Sequence, residues 1–161
     1  MKKLIAALVL LPMAATAYAY DMEVNISGKL VGGTCSFTGN KSMDVLMPDT
    51  PTASLKNAGS TSNTVDMHLQ LQDCPAVTKV KWEHTQNVDS ETGALKNTAD
   101  GPKDVYVQVL DGSGETIDLT KDEGRNISAT QGMDYQLRYY TPTGITEGGD
   151  FATQAYLTII Y

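Results

Sequence analysis

The chain alternates between apolar and polar residues in several short stretches. Val65, Met67, Leu69 and Leu71 are each separated by one polar residue, which is typical of a strand with one buried face. The same period of two recurs at 105–109, 117–119, 135–139 and 155–161, and in two shorter pairs, Val45 with Met47 and Val80 with Trp82. No segment shows the period of 3.6 residues that is typical of an amphipathic helix.

Turn-forming residues separate these predicted strands. Asp111-Gly112-Ser113-Gly114 stands between two alternating stretches, and its glycines suit the positive φ angles of a tight hairpin. Further prolines and glycines interrupt the chain at short intervals. Many short strands with frequent turns predict an all-β fold, a β-sandwich of one domain.

The N-terminus has the features of a secretory signal peptide. Lys2 and Lys3 precede an apolar run at 4–11, and Ala17-Tyr18-Ala19 forms a small-x-small cleavage site. The alternative is a permanent membrane anchor, but the apolar run is too short to span a bilayer. We therefore predict a signal peptide at residues 1–19 and an exported mature chain of residues 20–161.

Two cysteines and a net negative charge narrow the possibilities further. In an exported protein, Cys35 and Cys74 are predicted to form a disulfide, which the chain-entropy model values at about 4 kcal/mol. Their wide spacing disfavours a redox or metal-binding pair. The net charge is −7, and removal of Lys2 and Lys3 makes it −9 (−7 − 2), which argues against nucleic acid or an anionic membrane as a partner.

Both ends of the mature chain have strand patterns. One face of the N-terminal stretch carries Val24, Ile26, Gly28 and Leu30, and the other face carries Asn25, Ser27 and Lys29. The final stretch is apolar on both faces, because Tyr156 and Ile160 back Leu157 and Ile159. An apolar edge strand that nothing covers is prone to aggregation. One way to cover this strand is for a strand from another chain to pair with it.

The whole mature chain resembles the pilin subunits of the chaperone–usher pathway, the class of type 1 and P pili. Each matching piece is short, but the pieces occur in the family's order. They are the strand 24–30 before Cys35, the stretch 69–74 that ends in Cys74, the strand and turn 105–114, the aromatic strand 135–140, and the closing stretches 149–152 and 155–161.

The resemblance implies an incomplete immunoglobulin-like β-sandwich of six strands that lacks its seventh strand. Residues 20–31 would be an N-terminal donor strand extension, and residues 32–161 would be the pilin domain. The donor strand of one subunit would fill the open groove of the next. The implied donor positions are Val24, Ile26, Gly28 and Leu30. The implied acceptor positions are Leu157, Ile159 and Tyr161.

The same resemblance implies partners and a location. A periplasmic chaperone would fill the groove first, with an outer-membrane usher as assembly partner, and neighbouring fimbrial subunits would then replace the chaperone. The chain would pass through the periplasm to an extracellular fimbrium and act there as a structural subunit of an adhesive fibre. The alternative is a minor tip or cap subunit, for which a host surface receptor is a further partner.

Two simpler interpretations stay open on the residues alone. The stretch 24–30 can be the first strand of a complete sandwich, in which case the protein is an independent binding module. Tyr161 can be a core aromatic residue at the chain end rather than part of an acceptor groove.

Catalysis is not predicted. The chain has no Gly-x-Ser-x-Gly motif, no phosphate-binding loop and no paired carboxylates beside an apolar pocket. His68 and His84 are its two histidines, and no cysteines or acids with metal-ligand spacing accompany them. We therefore expect no enzyme activity, no metal and no cofactor. A secreted metal-dependent β-sandwich enzyme is the weakest of the functional hypotheses.

Overall fold

Antiparallel strands make up most of the regular structure. The computed structural model describes residues 35–39, 42–74, 78–127 and 132–160. The predicted signal peptide, the predicted donor positions and Tyr161 lie outside the described residues. The strands are β1 (Ser36–Phe37), β2 (Val65–Leu69), β3 (Leu71–Gln72), β4 (Thr78–Trp82), β5 (Leu95–Lys96), β6 (Tyr106–Asp111), β7 (Thr116–Ile117), β8 (Arg125–Ile127), β9 (Met133–Tyr140) and β10 (Leu157–Ile160).

These strands form two sheets and a ribbon. The large sheet has the order β2-β9-β6-β5, and β7 pairs with β6. The small sheet has the order β10-β4-β8, and β1 pairs with β3 in a two-stranded ribbon. Among the described residues the helical structure is one 3-10 turn, Thr52–Leu55, and no helix there is long and apolar enough to cross a membrane. The predicted all-β fold is confirmed.

The alternating stretches of the sequence form the longer strands. In β2, Met67 and Leu69 are buried, while Asp66 and His68 are exposed. β6 and β7 form the predicted hairpin, and Gly114 in its turn has a φ of 86°. Glycine adopts this left-handed conformation without the steric cost that a Cβ would add.

Apolar side chains of the two sheets meet in the main core. Trp82 of β4 lies edge-on against Tyr135 of β9, with ring centroids 5.2 Å apart and an interplanar angle of 79°. Aromatic rings favour this geometry because their quadrupoles attract edge to face. Burial raises the pKa of Tyr135 to about 12. Because Trp82 belongs to the small sheet and Tyr135 to the large sheet, this contact joins the two layers.

A second, smaller core surrounds a disulfide. Cys35 and Cys74 are bonded to each other, as the sequence predicted. Leu71, Val80 and Ile127 pack with Cys74. The two cysteines are 39 residues apart in sequence, so the bond stabilises the fold mainly by restricting the unfolded chain.

An ion pair also connects the two sheets. Arg125 of β8 donates from Nη1 to Oδ2 of Asp111 in β6 at 2.7 Å. Oδ1 of Asp111 accepts hydrogen bonds from the amide and hydroxyl of Ser113 and from the amide of Glu115. The hydrogen bonds from Ser113 and Arg125 hold the pKa of Asp111 well below its ordinary value. One carboxylate thus fixes both the β6–β7 turn and a contact between the sheets.

Two loops are held together by Asn97 and Gly101. Nδ2 of Asn97 donates to the carbonyls of Pro102 at 3.1 Å and Asp150 at 2.9 Å, and its Oδ1 accepts from the amide of Ala152 at 3.2 Å. A Cβ at Gly101 would overlap the carbonyl oxygen of Asp150. Glycine at position 101 therefore permits the two loops to approach closely, and this contact fixes the backbone at Asp150, before β10 begins.

One predicted strand is wrong. The sequence predicts a short strand at Val45 and Met47, but residues 42–50 pair with no strand among the described residues. Val45 and Met47 are half-buried and Leu46 between them is exposed, so the side chains do alternate. A pattern of alternation predicts which side chains turn inward, whereas a sheet also requires a neighbouring backbone.

Replacement of Arg125 by Met is expected to lower the free energy of unfolding by about 1–3 kcal/mol at pH 7, because Asp111 loses a charged hydrogen-bond donor. The folded-state pKa of Asp111 lies below its ordinary value. Its contribution to stability is therefore present above about pH 4 and is lost as the pH falls through the folded-state pKa. Urea unfolding between pH 7 and pH 2 should show that the difference between wild type and variant shrinks in acid.

The matched control for this prediction is Lys121→Met, which removes the exposed pair between Lys121 and Asp118. Exposed pairs contribute little, so its free energy of unfolding should change by less than about 1 kcal/mol. Equal losses in the two variants would contradict a special role for the contact between Arg125 and Asp111.

Replacement of Gly101 by Ala is expected to lower the free energy of unfolding by about 1–3 kcal/mol, because the added Cβ meets the backbone of Asp150. Gly148→Ala is the control in the same pair of loops. Its Cβ would make an ordinary contact with Thr52 at 3.5 Å, so the change should stay within about 0.5 kcal/mol. Thermal unfolding of both variants measures the difference, and a stable Gly101→Ala protein would contradict the close approach.

Candidate functional site: an apolar groove with open edges

A groove of about 820 Å³ lies between two segments that flank the main core. One wall consists of residues 42–47, and the other consists of residues 151–157. Both sheets contribute to the floor, which is apolar. The floor residues are Met67, Leu69, Trp82, Leu95, Val107, Leu137 and Tyr139. The groove therefore reaches the core of the sandwich.

The wall side chains alternate between the groove and the solvent. Val45 and Met47 are half-buried, whereas Leu46 between them is 91% exposed. On the opposite wall, Phe151 and Leu157 are half-buried and alternate with exposed neighbours. Each wall thus has the side-chain period of a strand.

Within the described residues, the backbone of each wall has an edge without a strand partner. Residues 42–47 make no backbone hydrogen bond within the part of the chain that the structure describes. β10 stands at the end of the small sheet, and β4 is its one strand partner there. β10 begins at Leu157, which lines the groove, so the edge of β10 that lacks a partner among the described residues starts at the groove. Unpaired N–H and C=O groups along an edge are a template for a further strand.

The Asp and His residues that line the groove are exposed and do not belong to its buried floor. Asp44 and His68 line the mouth and are exposed, and Nδ1 of His68 lies 2.6 Å from Oδ1 of Asp134. On the floor, burial raises the pKa of the Tyr139 hydroxyl, and the negative charge of Asp49 raises it further. The described residues contain no group of three or more His, Cys, Asp or Glu that could hold a metal ion. The site is therefore suited to apolar side chains and backbone hydrogen bonds.

The structure places two of the three predicted acceptor residues. Leu157 lines the groove. Ile159 is half-buried on the same face of β10, but it packs against the second core around Val80 instead of lining the groove. Tyr161 and the four predicted donor positions lie outside the described residues. The pairing of donor and acceptor positions therefore stays a prediction.

Most of the groove was missed by sequence reasoning. The wall at 42–47 carried a signal, since Val45 and Met47 alternate with polar or exposed neighbours, but the pattern predicted a paired strand. Val107 and Leu137 were predicted as inward-facing positions, and both are buried. Alternation does not distinguish a position under a closed sandwich from a position on the floor of a groove.

Known proteins with similar sequences are fimbrial. The family model described as fimbrial protein matches residues 24–161. The F17 fimbrial protein of Escherichia coli is 29% identical, and the match covers 92% of this chain and 91% of that protein. The S-fimbrial adhesin protein SfaS of Escherichia coli O6:K15:H31 is 28% identical, and the match covers 75% of this chain and 66% of that protein.

A solved structure shows the same fold. One chain of a chaperone–usher pilus superposes with a TM-score of 0.62 at 16% identity, and the match covers 92% of this chain and 99% of that chain. This likeness confirms the predicted immunoglobulin-like pilin fold. Since the family model spans most of the sequence, the chain belongs to the fimbrial protein family and is a fimbrial subunit.

Proposed function

We propose that this chain is a structural subunit of an adhesive surface fimbria and polymerises by donor-strand exchange. Residues 20–31 of one subunit would enter the groove of its neighbour. The observation that carries the proposal is a groove with an apolar floor between two backbone edges that lack partners among the described residues. A single added strand would pair with both edges and cover the floor at once.

The predicted donor segment has the chemistry that this groove requires. Val24, Ile26 and Leu30 fall on one face of a strand, and burial of each contributes about 1.5–3 kcal/mol. Gly28 on the same face would occupy a position without room for a side chain. A shift by one residue would turn Asn25, Ser27 and Lys29 toward the apolar floor, so one register is favoured.

We propose that the acceptor side extends beyond the three residues that the resemblance implied. Leu157 is one wall residue, and Val45 and Met47 supply the wall across the groove. We propose that Ile159 and Tyr161 receive the part of the donor strand that lies beyond the groove, beside the second core. Support for this extension is the half-buried position of Ile159 on the groove-facing side of β10.

Exposed apolar grooves aggregate in water, so the subunit needs a cover before it meets its neighbour. We propose that a periplasmic chaperone supplies this cover with a strand of its own and that an outer-membrane usher is the site of exchange. The solved chain with the same fold comes from a chaperone–usher pilus, which supports this route. The assembled chain would then be extracellular.

The proposal predicts that a synthetic peptide of residues 21–32 stabilises the purified mature chain. A saturating excess should raise the melting temperature by at least about 10 °C, because the peptide binds the folded state alone and buries apolar side chains in the groove. The same peptide with Gly28→Trp should have little effect, since its register would be blocked.

Two neighbouring variants test where the peptide binds. Leu157→Lys places a charge in the groove wall and should abolish the shift, whereas Thr158→Lys faces outward and should leave it intact. A wild-type protein that is stable and monomeric, and whose melting temperature the peptide does not change, would indicate a complete sandwich. In that case the chain would be an independent binding module, and strand exchange would be withdrawn.

A minor tip or cap subunit that binds a host receptor is the second candidate. The observation that favours it is the relative named as an adhesin. Immunogold labelling of fimbriae with an antibody against this chain separates the two candidates. A structural shaft subunit is expected to give label along the whole fibre, and label confined to the ends would favour the tip or cap position.

A further inference from the structure

The outer face of the small sheet combines exposed apolar side chains with half-buried lysines. In the pairing of β10 with β4, Ile160 lies opposite Lys79 and Thr158 lies opposite Lys81, so these four side chains share one face. Tyr156 falls on the same side, since burial alternates from residue 151 to residue 160. Tyr156 is 55% exposed and Ile160 is 46% exposed. These five residues are the lysine–apolar face.

This face lacks an internal partner among the described residues. Lys79 and Lys81 form no ion pair in that part of the chain. Four large hydrophobic side chains are exposed in the described part of the chain. Two of them, Tyr156 and Ile160, belong to this face. Glu83, whose amide donates to the carbonyl of Tyr156, adds an acidic residue at the Tyr156 end. Asp122 and Glu123 add two more beside the lysines, because the next residue, Gly124, lies close to the Cβ atoms of Lys79 and Lys81. Exposed apolar groups beside unpaired charges mark a surface for an interaction.

Acidic side chains are gathered on two loops that pack against each other. These loops, residues 99–104 and 147–150, form the acidic loop pair. Its acids are Asp100, Asp104, Glu147 and Asp150, and all four are exposed. None of them forms an ion pair among the described residues, and Lys103 is the single base within the two loops. Asn97 and the close approach of Gly101 to Asp150 hold the loops together.

The two charged surfaces lie at opposite ends of one segment. Asp150 and Ile160 are ten residues apart in a stretch with strand-like alternation, which corresponds to about 33 Å at the usual rise per residue. Lys81 and Lys79 lie opposite Thr158 and Ile160, so the acidic loop pair of the same molecule lies further back along the segment and forms no ion pair with them among the described residues. A second copy placed in line can bring the two surfaces together. A head-to-tail contact of this kind is heterologous and continues as a filament instead of closing.

We propose that the lysine–apolar face binds the acidic loop pair of a second copy of this chain. Charge complementarity argues for this occupant, because a basic face would meet an acidic loop pair. The chain carries a net charge of −7, so copies without such a contact would repel each other. The contact uses the outer side of β10, opposite the groove, and Tyr156 is the one residue of the face that also belongs to the groove wall. It goes beyond the proposed function, because two copies can meet through these surfaces whether or not strand exchange also holds them in line.

Sedimentation velocity of the full mature chain tests the contact. Excess peptide of residues 21–32 keeps the groove occupied, so that the remaining association does not depend on strand exchange. Wild type should self-associate at about 50 mM salt and at least about tenfold more weakly at about 500 mM, where the Debye length is short. Lys79→Glu with Lys81→Glu should weaken self-association at least about tenfold.

A charge swap makes the test specific. The double variant Asp100→Lys with Asp104→Lys should also fail to self-associate, but its mixture with the Lys79→Glu, Lys81→Glu protein should associate again, because each acidic surface then meets a basic one. The control Lys56→Glu with Lys96→Glu makes the same change in net charge outside the face and should behave as wild type.

The outcomes separate this contact from strand exchange. Melting temperatures with and without the peptide show in every variant whether the groove still binds, and the charge variants should keep that shift. If the peptide fails to bind wild type, strand exchange is wrong, and sedimentation without peptide still measures the face. The contact is refuted if wild type stays monomeric at low salt, if Lys79→Glu with Lys81→Glu associates as wild type does, or if the mixture of charge variants does not associate.

Discussion

The structure depends on two backbone edges that face each other across an apolar floor. Unpaired N–H and C=O groups in buried or apolar surroundings raise the free energy of the folded protein. Within the described residues, neither 42–47 nor the outer edge of β10 has a strand partner. The cost is removed if one further strand pairs with both edges. The same geometry explains why a fimbrial subunit combines a strand-like N-terminal sequence with an incomplete sandwich.

The sandwich resists collapse of the groove because several contacts hold its layers in place. Trp82 packs edge-on against Tyr135, and Arg125 donates a hydrogen bond to Asp111. Apolar side chains of the second core pack around the disulfide. These contacts differ in chemistry, so they respond differently to acid, reducing agents and core substitutions. In the proposed strand exchange, a floor fixed in this way would let the incoming side chains meet preformed positions, which would reduce the entropy cost of binding.

The segment before β10 links the groove with the surface of the molecule. Asn97 and Gly101 fix the loop around Asp150, and the chain then continues through the groove wall into β10. The inner side of that segment borders the groove, and its outer side carries Tyr156 and Ile160. One strand therefore takes part in the proposed strand exchange through its inner side and in the proposed contact between copies through its outer side.

The sequence by itself determined the all-β class, the disulfide between Cys35 and Cys74, and the inward positions of β2, β6 and β9, because alternation and cysteine pairing are local or chemical signals. It also identified Leu157 as an inward residue of the last strand. Tertiary structure alone decided that Val45 and Met47 form a wall without a strand partner among the described residues, and that Val107 and Leu137 lie under a groove. The physical reason is that side-chain alternation indicates which face of a strand is buried. Whether a strand edge is open depends on whether another backbone lies beside it, and no local pattern of residues shows that.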